Sequence, residues 1–197
     1  SSLASFHAFL NTGLAVSTPS SPYSRRHDMK QVMTSYVLGP HVGLIIEADG
    51  DETTFLNELI NVVIDESTYE IDEDALEEEA TRAEGELRRG LGSEKKSIGA
   101  FCYVNGIAED ELHEYCKANL VRTALENQAV DAIAYAEGIT IGPQDVLAYK
   151  REYRDQYART LLDEPDFSED DLIAAIRARK VLNFLKENNM WKRKGRA

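Results

Sequence analysis

The chain has 197 residues, 43% hydrophobic and 29% charged, and its 35 acidic against 22 basic side chains give a formal net charge of −13. That length is enough for one large domain or two small ones with a buried core, and no apolar run approaches the roughly 20 residues of a membrane-spanning helix. The acidic balance argues against nucleic acid as a direct partner, because phosphate binding depends on clustered Lys and Arg.

Residues 1–50 hold three acids and three bases, whereas residues 51–197 hold 32 acids and 19 bases. The chain therefore divides into a poorly defined N-terminal segment (1–50), a helical domain (51–190) and a basic tail (191–197). The stretch Ser17-Thr-Pro-Ser-Ser-Pro-Tyr-Ser24 reads as an exposed loop, because its two prolines disfavour both helix and ladder. Residues 6–14 and 29–38 each read as a short helix, the second stopped by Gly39-Pro40. Residues 41–48 read as a short strand or a buried extended segment.

Beyond Gly50 the apolar spacing is helical. Residues 53–65 place Leu56, Leu59, Ile60, Val63 and Ile64 on one face. The next helix starts near Asp72, whose carboxylate can cap free N–H groups, and aligns Leu76, Ala80, Ala83, Leu87 and Leu91, with Gly90 and Gly92 as its stop. Nine acids and no base lie from Asp65 to Glu79; Glu77, Glu78 and Glu79 are expected in water, as a solvated face rather than a calcium loop. A short helix over 93–103 ends at Asn105-Gly106. A long helix over 109–137 carries Leu112, Cys116, Leu120, Val130 and Ile133, interrupted by Thr123 and Asn127. Pro143 suits a first helical turn, and that helix carries Val146, Tyr149, Tyr153 and Tyr157. Ser168-Glu-Asp-Asp171 starts a last helix reaching about residue 188, by a pattern related to the capping box.

Cys102 and Cys116 are the only cysteines and read as reduced, buried thiols; His7, His27, His41 and His113 are scattered without metal-ligand spacing. Neither a metal nor a cofactor is expected, and no nucleophile with its base or glycine-rich phosphate loop is assembled. The chain begins at Ser1 rather than Met, as an expressed fragment does, which would leave an upstream domain out of view.

A shift of 70 residues lays Val63 over Ile133, Tyr69 and Ile71 over Ile139 and Ile141, and Leu76 over Val146. Each copy is a helix ending near acids, an aliphatic link and a second helix, so the expected fold class is all-α, built of helical hairpins, or arms.

The stretches Asn57-Glu-Leu-Ile-Asn-Val-Val-Ile-Asp-Glu-Ser-Thr-Tyr-Glu-Ile71, Gly106-Ile-Ala-Glu-Asp-Glu-Leu112, Asn127-Gln-Ala-Val-Asp-Ala-Ile133 and Arg179-Lys-Val-Leu-Asn-Phe-Leu-Lys-Glu-Asn188 occur in the order of one family. Over about residues 51–190 the chain resembles the C-terminal domain of bacterial trigger factor, a ribosome-associated chaperone. The resemblance implies a chaperone module that holds unfolded or nascent polypeptides on helical arms in the cytoplasm, with ribosome attachment only through domains not present here. The family's Gly-Phe-Arg ribosome loop and prolyl isomerase domain are not recognisable, so no enzymatic activity is expected of this chain. Phe101, Tyr103, Tyr149, Tyr153 and Tyr157 are the candidate client-binding residues, as rings that offer apolar area, most with a polar tip. Two other readings stay open: the helical body of a parvulin-type periplasmic chaperone, and a helical interaction or homodimerisation module without clients.

Overall fold

In the computed structural model, residues 32–93, 97–157 and 168–193 are described. The elements are β1 (Met33–Val37), β2 (Ile45–Glu47), α1 (Glu52–Asp65), β3 (Thr68–Ile71), α2 (Glu73–Ser93), α3 (Ile98–Asn105), a 3-10 turn (Glu109–Glu111), α4 (Leu112–Ala136), α5 (Pro143–Tyr157), α6 (Glu169–Asn188) and β4 (Met190–Lys192). Helix dominates, as the periodicity predicts. The readings of residues 6–14 and 17–24 lie outside the described residues.

Each helix start has a local cause. Asp51 Oδ1 accepts the Thr54 N–H at 3.0 Å, which caps α1, and Asp72 Oδ1 accepts that of Ala75 at 3.0 Å, which caps α2. Ser97 Oγ does the same for α3 through Ala100 at 3.0 Å, and Ser168 with Asp171 forms a reciprocal capping box on α6. Gly106, at φ 68°, ends α3 in the left-handed conformation that glycine tolerates best.

The main core joins α1, the C-terminal half of α4 and the C-terminal half of α6. Phe55, Leu59, Ile60, Val63 and Ile64 of α1 pack with Leu125, Ala129, Val130 and Ile133 of α4 and with Val181, Leu182 and Leu185 of α6. Leu56 sits at the edge of this stripe, only partly buried, and Phe55 fills the position facing inward. Because α4 continues without a break through Thr123 and Asn127, it runs on past this core. Thr123 fits inside the helix by donating its hydroxyl to the Asn119 carbonyl one turn back, at 2.8 Å.

Several expectations need correction. From residue 32 onward, the helix expected over 29–38 is strand β1, which pairs antiparallel with β3 in the register Tyr36↔Tyr69 and Val37↔Thr68. Its Thr, Tyr and Val suit a pleated surface better than a helix. Helix α2 ends at Ser93, one residue past Gly92, close to the expected stop, and it passes through Gly90 with Leu91 buried between the two glycines. Burying Leu91 at roughly 1.5–3 kcal/mol outweighs about 1 kcal/mol for the helical glycine immediately before it. Glu79 is buried and held by the Arg82 guanidinium, unlike the exposed Glu77 and Glu78. The basic tail is in part a strand: β4 pairs parallel with β2, Ile46 opposite Trp191. Trp191 stacks on Phe55 at 5.3 Å and donates its indole N–H to the Ala48 carbonyl, so an aromatic residue that needs burial fixes this end.

The 70-residue repeat is present as local structure, since α2 begins at Glu73 and α5 at Pro143. Its two helices do not fold back on each other, however. Helix α2 leaves α1 to pack on α4, and α5 leaves α4 to pack on α6. The packed hairpins are therefore α2 with the N-terminal half of α4, called arm one here, and α5 with the N-terminal half of α6, arm two.

Candidate functional site

Arm one is built from an apolar tip and a charged flank. At the tip, Leu87, Leu91, Phe101, Cys102, Leu112 and Cys116 form one buried cluster. Phe101 meets Tyr115 edge-on at 6.0 Å, and Tyr115 donates its hydroxyl to Asn105 Oδ1 at 3.2 Å, tying α3 to α4. Burial pushes the Cys116 thiol up to about 11 and raises that of Cys102 as well, so both stay protonated. Along the flank, Glu77 meets His113 Nε2 at 2.9 Å and Lys117 Nζ at 3.0 Å, while Glu84 meets His113 Nδ1 at 3.2 Å and Arg88 at 2.8 Å. The Lys117 hydrogen bond holds the Glu77 carboxyl below its ordinary value, and that from Arg88 does the same for Glu84.

Arm two has an aromatic interior. Tyr149 and Tyr153, 2% and 5% exposed, pack with Leu172, Ala175 and Ile176 of α6, flanked by Ile141 and Val146. The Arg179 guanidinium lies 5.9 Å over the Tyr149 ring and pairs with Glu152. Lys180 Nζ bridges Asp145 Oδ2 and the Thr140 carbonyl, at 2.8 Å each, and its hydrogen bond lowers the Asp145 carboxyl.

These placements divide the candidate residues. Tyr149 and Tyr153 belong to the core of arm two and offer no ring face to a ligand, because their spacing matches the buried face of α5. Phe101 is likewise buried in the tip cluster. Tyr157 ends α5, and its side chain lies outside the described residues. Tyr103 is 87% exposed, next to Val104 at 82%. The sequence reading missed Val104, although the signal was present: with Phe101 and Cys102 turned inward, a rise of 100° per residue turns Tyr103 and Val104 outward. Tyr135, 91% exposed near the end of α4, was also missed, because it follows the buried Ile133 and Ala134 in an otherwise apolar run.

The tip thus presents a tyrosine and a valine to solvent on a short helix fixed at both ends, beside the exposed acids Glu109, Asp110 and Glu111. This arrangement can hold an apolar ligand without covalent chemistry. Among the described residues, no helix is long and apolar enough to cross a membrane, and no three His, Cys, Asp or Glu side chains converge as metal ligands.

No protein-family model matches the chain, and no solved structure does. It is 31% identical over 87 residues to the trigger factors of two Lactococcus lactis subsp. cremoris strains, MG1363 and SK11. The match covers 44% of this chain and 20% of each relative, so it spans about a fifth of the length of those proteins.

Proposed function

We propose that this chain is a chaperone-like module that holds unfolded or nascent polypeptides on its helical arms. The observation that carries this reading is the Tyr103–Val104 pair, two large apolar side chains left in water at the tip of an arm that buries Leu87, Leu91, Phe101, Cys102, Leu112 and Cys116. Isolated exposed apolar residues are ordinary on protein surfaces. An adjacent pair on a pinned helix end, beside acids that keep the tip soluble, is what weak and adaptable apolar binding requires. The partial similarity to trigger factor supports the same reading.

Holding needs only accessible apolar surface. Prolyl isomerisation needs a pocket that twists an X-Pro bond over a barrier of about 18–20 kcal/mol, and no such activity is part of this proposal. The test is a light-scattering assay with a chemically unfolded client. The wild-type chain is expected to slow aggregation at stoichiometric ratios, and Tyr103→Ser with Val104→Ser to weaken that effect. A wild-type chain that neither binds a hydrophobic dye nor delays aggregation would sink the proposal and favour the closed interaction module.

A further inference from the structure

The two copies of the 70-residue unit differ at their links. In the first, Thr68–Ile71 is strand β3 and is covered by β1, a segment from outside the repeat. In the second, the equivalent residues 138–141 belong to no ladder. The helices that frame the links correspond closely: α1 ends at Asp65 and α4 at Ala136, and α2 and α5 begin 70 residues apart.

From this asymmetry we infer that the second link is a docking edge for one extended polypeptide strand, taken up as β1 is taken up by β3. The inference rests on the proposed polypeptide-holding function and names where an extended segment of the held chain lies. Side-chain anchoring leaves the edge in place: Ile139 packs on the main core and Ile141 on the core of arm two. Three of the backbone groups are already engaged. Gly138, left-handed at φ 61°, turns its N–H back to the Tyr135 carbonyl at 3.3 Å, so the open edge is confined to 139–141. Ile139 N–H is turned back to the Ala134 carbonyl at 2.8 Å, and the Thr140 carbonyl accepts Lys180 Nζ. Among the described residues, the Ile139 carbonyl and both backbone groups of Ile141 make no hydrogen bond. Because successive peptide groups of an extended chain point to opposite edges, these groups of alternate residues can serve one and the same partner strand.

The occupant is an extended segment with apolar residues at alternate positions. Its hydrogen bonds are main-chain bonds that any sequence can make, which suits a protein that holds many unfolded chains. The first copy supplies the template, since β1 presents Met33 to the core and Tyr36 to Ser67 while its backbone pairs with β3.

The probe is a synthetic peptide of residues 32–38, Val-Met-Thr-Ser-Tyr-Val-Leu, with an analogue N-methylated at alternate amides. Amide hydrogen exchange on the whole chain is read separately for residues 139–142 and 68–71. The expected result is exchange at least tenfold slower within 139–142, at the Ile141 amide that is open in the free chain, with the unmodified peptide, and binding at least tenfold weaker for the N-methylated one. Equal binding of both peptides, or protection confined to 68–71, overturns the inference. Protection at 139–142 without any suppression of aggregation would keep the edge and remove the holding function. Suppression of aggregation without such protection would do the reverse.

Discussion

At positions related by the 70-residue shift, arm one carries Glu79 and Ala83 where arm two carries Tyr149 and Tyr153. Both pairs lie on the face turned toward the partner helix, yet their contents are unlike. In arm one Glu79 is buried with Arg82 as its counter-ion and Ala83 packs on the tip cluster. In arm two the rings lie against Ala175 on α6, a small residue that leaves room for them. The repeat therefore fixes which direction a position faces, whereas the helix opposite decides which side chain can fill it. Stability is drawn in different proportions as a result: aliphatic, thiol and Phe101 packing beside a row of ion pairs in arm one, two buried tyrosines beside the Arg179–Glu152 and Lys180–Asp145 pairs in arm two.

That contrast is broken most severely by removing the rings. Tyr149→Ala and Tyr153→Ala are each expected to cost about 3–5 kcal/mol, the scale of a buried aromatic truncated to a cavity. Helicity measured by circular dichroism against urea should show arm two lost first, while reaction of Cys102 and Cys116 with a thiol reagent stays slow because arm one keeps them covered. Rapid thiol reaction in these variants would show that the arms unfold as one unit rather than two.

A smaller effect is expected at the joint that only the first copy has. A Cβ on Gly39 would lie 2.2 Å from the Glu66 carbonyl oxygen, inside backbone that cannot yield easily. The Gly39 N–H also donates to Ser67 Oγ, which accepts the Tyr36 hydroxyl and donates to the Val63 carbonyl. Gly39→Ala should destabilise by about 1–3 kcal/mol, as overpacking does, and should be read from the urea midpoint. An unchanged midpoint would mean that the β1–β3 joint contributes little to holding the first link.

The ion pairs of arm one predict a pH dependence that arm two, among the described residues, shares only through Asp145. Glu77 and Glu84 have carboxyls held below their ordinary value. Such groups stabilise fully above the unfolded value, about 4.3 for glutamate, and lose that contribution as pH falls through their lowered values. Glu126 has the opposite sign: burial raises its carboxyl despite the bond from Arg122, so ionising it costs the native state at neutral pH. Glu77→Gln with Glu84→Gln should therefore flatten the loss of stability between pH 6 and pH 3.5. Glu126→Gln should be neutral or stabilising at pH 7 and lose any advantage toward acid. Urea midpoints at both pH values test the signs.

Much of this was legible in the sequence, because helix periodicity and caps are local. Asp72, Ser168 and Pro143 open helices where their chemistry places them. What escaped depended on distant partners. Strand β1 exists because Thr68–Ile71 lies across from it, and Trp191 is ordered because Phe55, far back in the chain, offers a ring to stack on. The hairpin pairing was misread for the same reason: a repeat shows that two helices adjoin in sequence, not which neighbour each packs against. The tyrosine row was legible as a stripe, but a stripe at helical spacing marks the buried face, which made Tyr149 and Tyr153 core.

The finest distinction between the arms concerns surface rather than stability. Tyr103 and Val104 pack into no buried cluster, so Tyr103→Ser with Val104→Ser should leave the urea midpoint within about 0.5 kcal/mol of wild type, as surface substitutions do. The same double variant should reduce the suppression of client aggregation, since two large apolar side chains leave the tip while Phe101 and Cys102 keep α3 in place. A loss of stability instead would mean that the pair packs inward in solution. Unchanged holding with unchanged stability would move the binding surface away from the tip, toward the exposed Tyr135 at the end of α4, where Tyr135→Ser is the next variant to measure. Because arm two buries its own rings, no pair of substitutions among its described aromatic residues should separate holding from folding in this way.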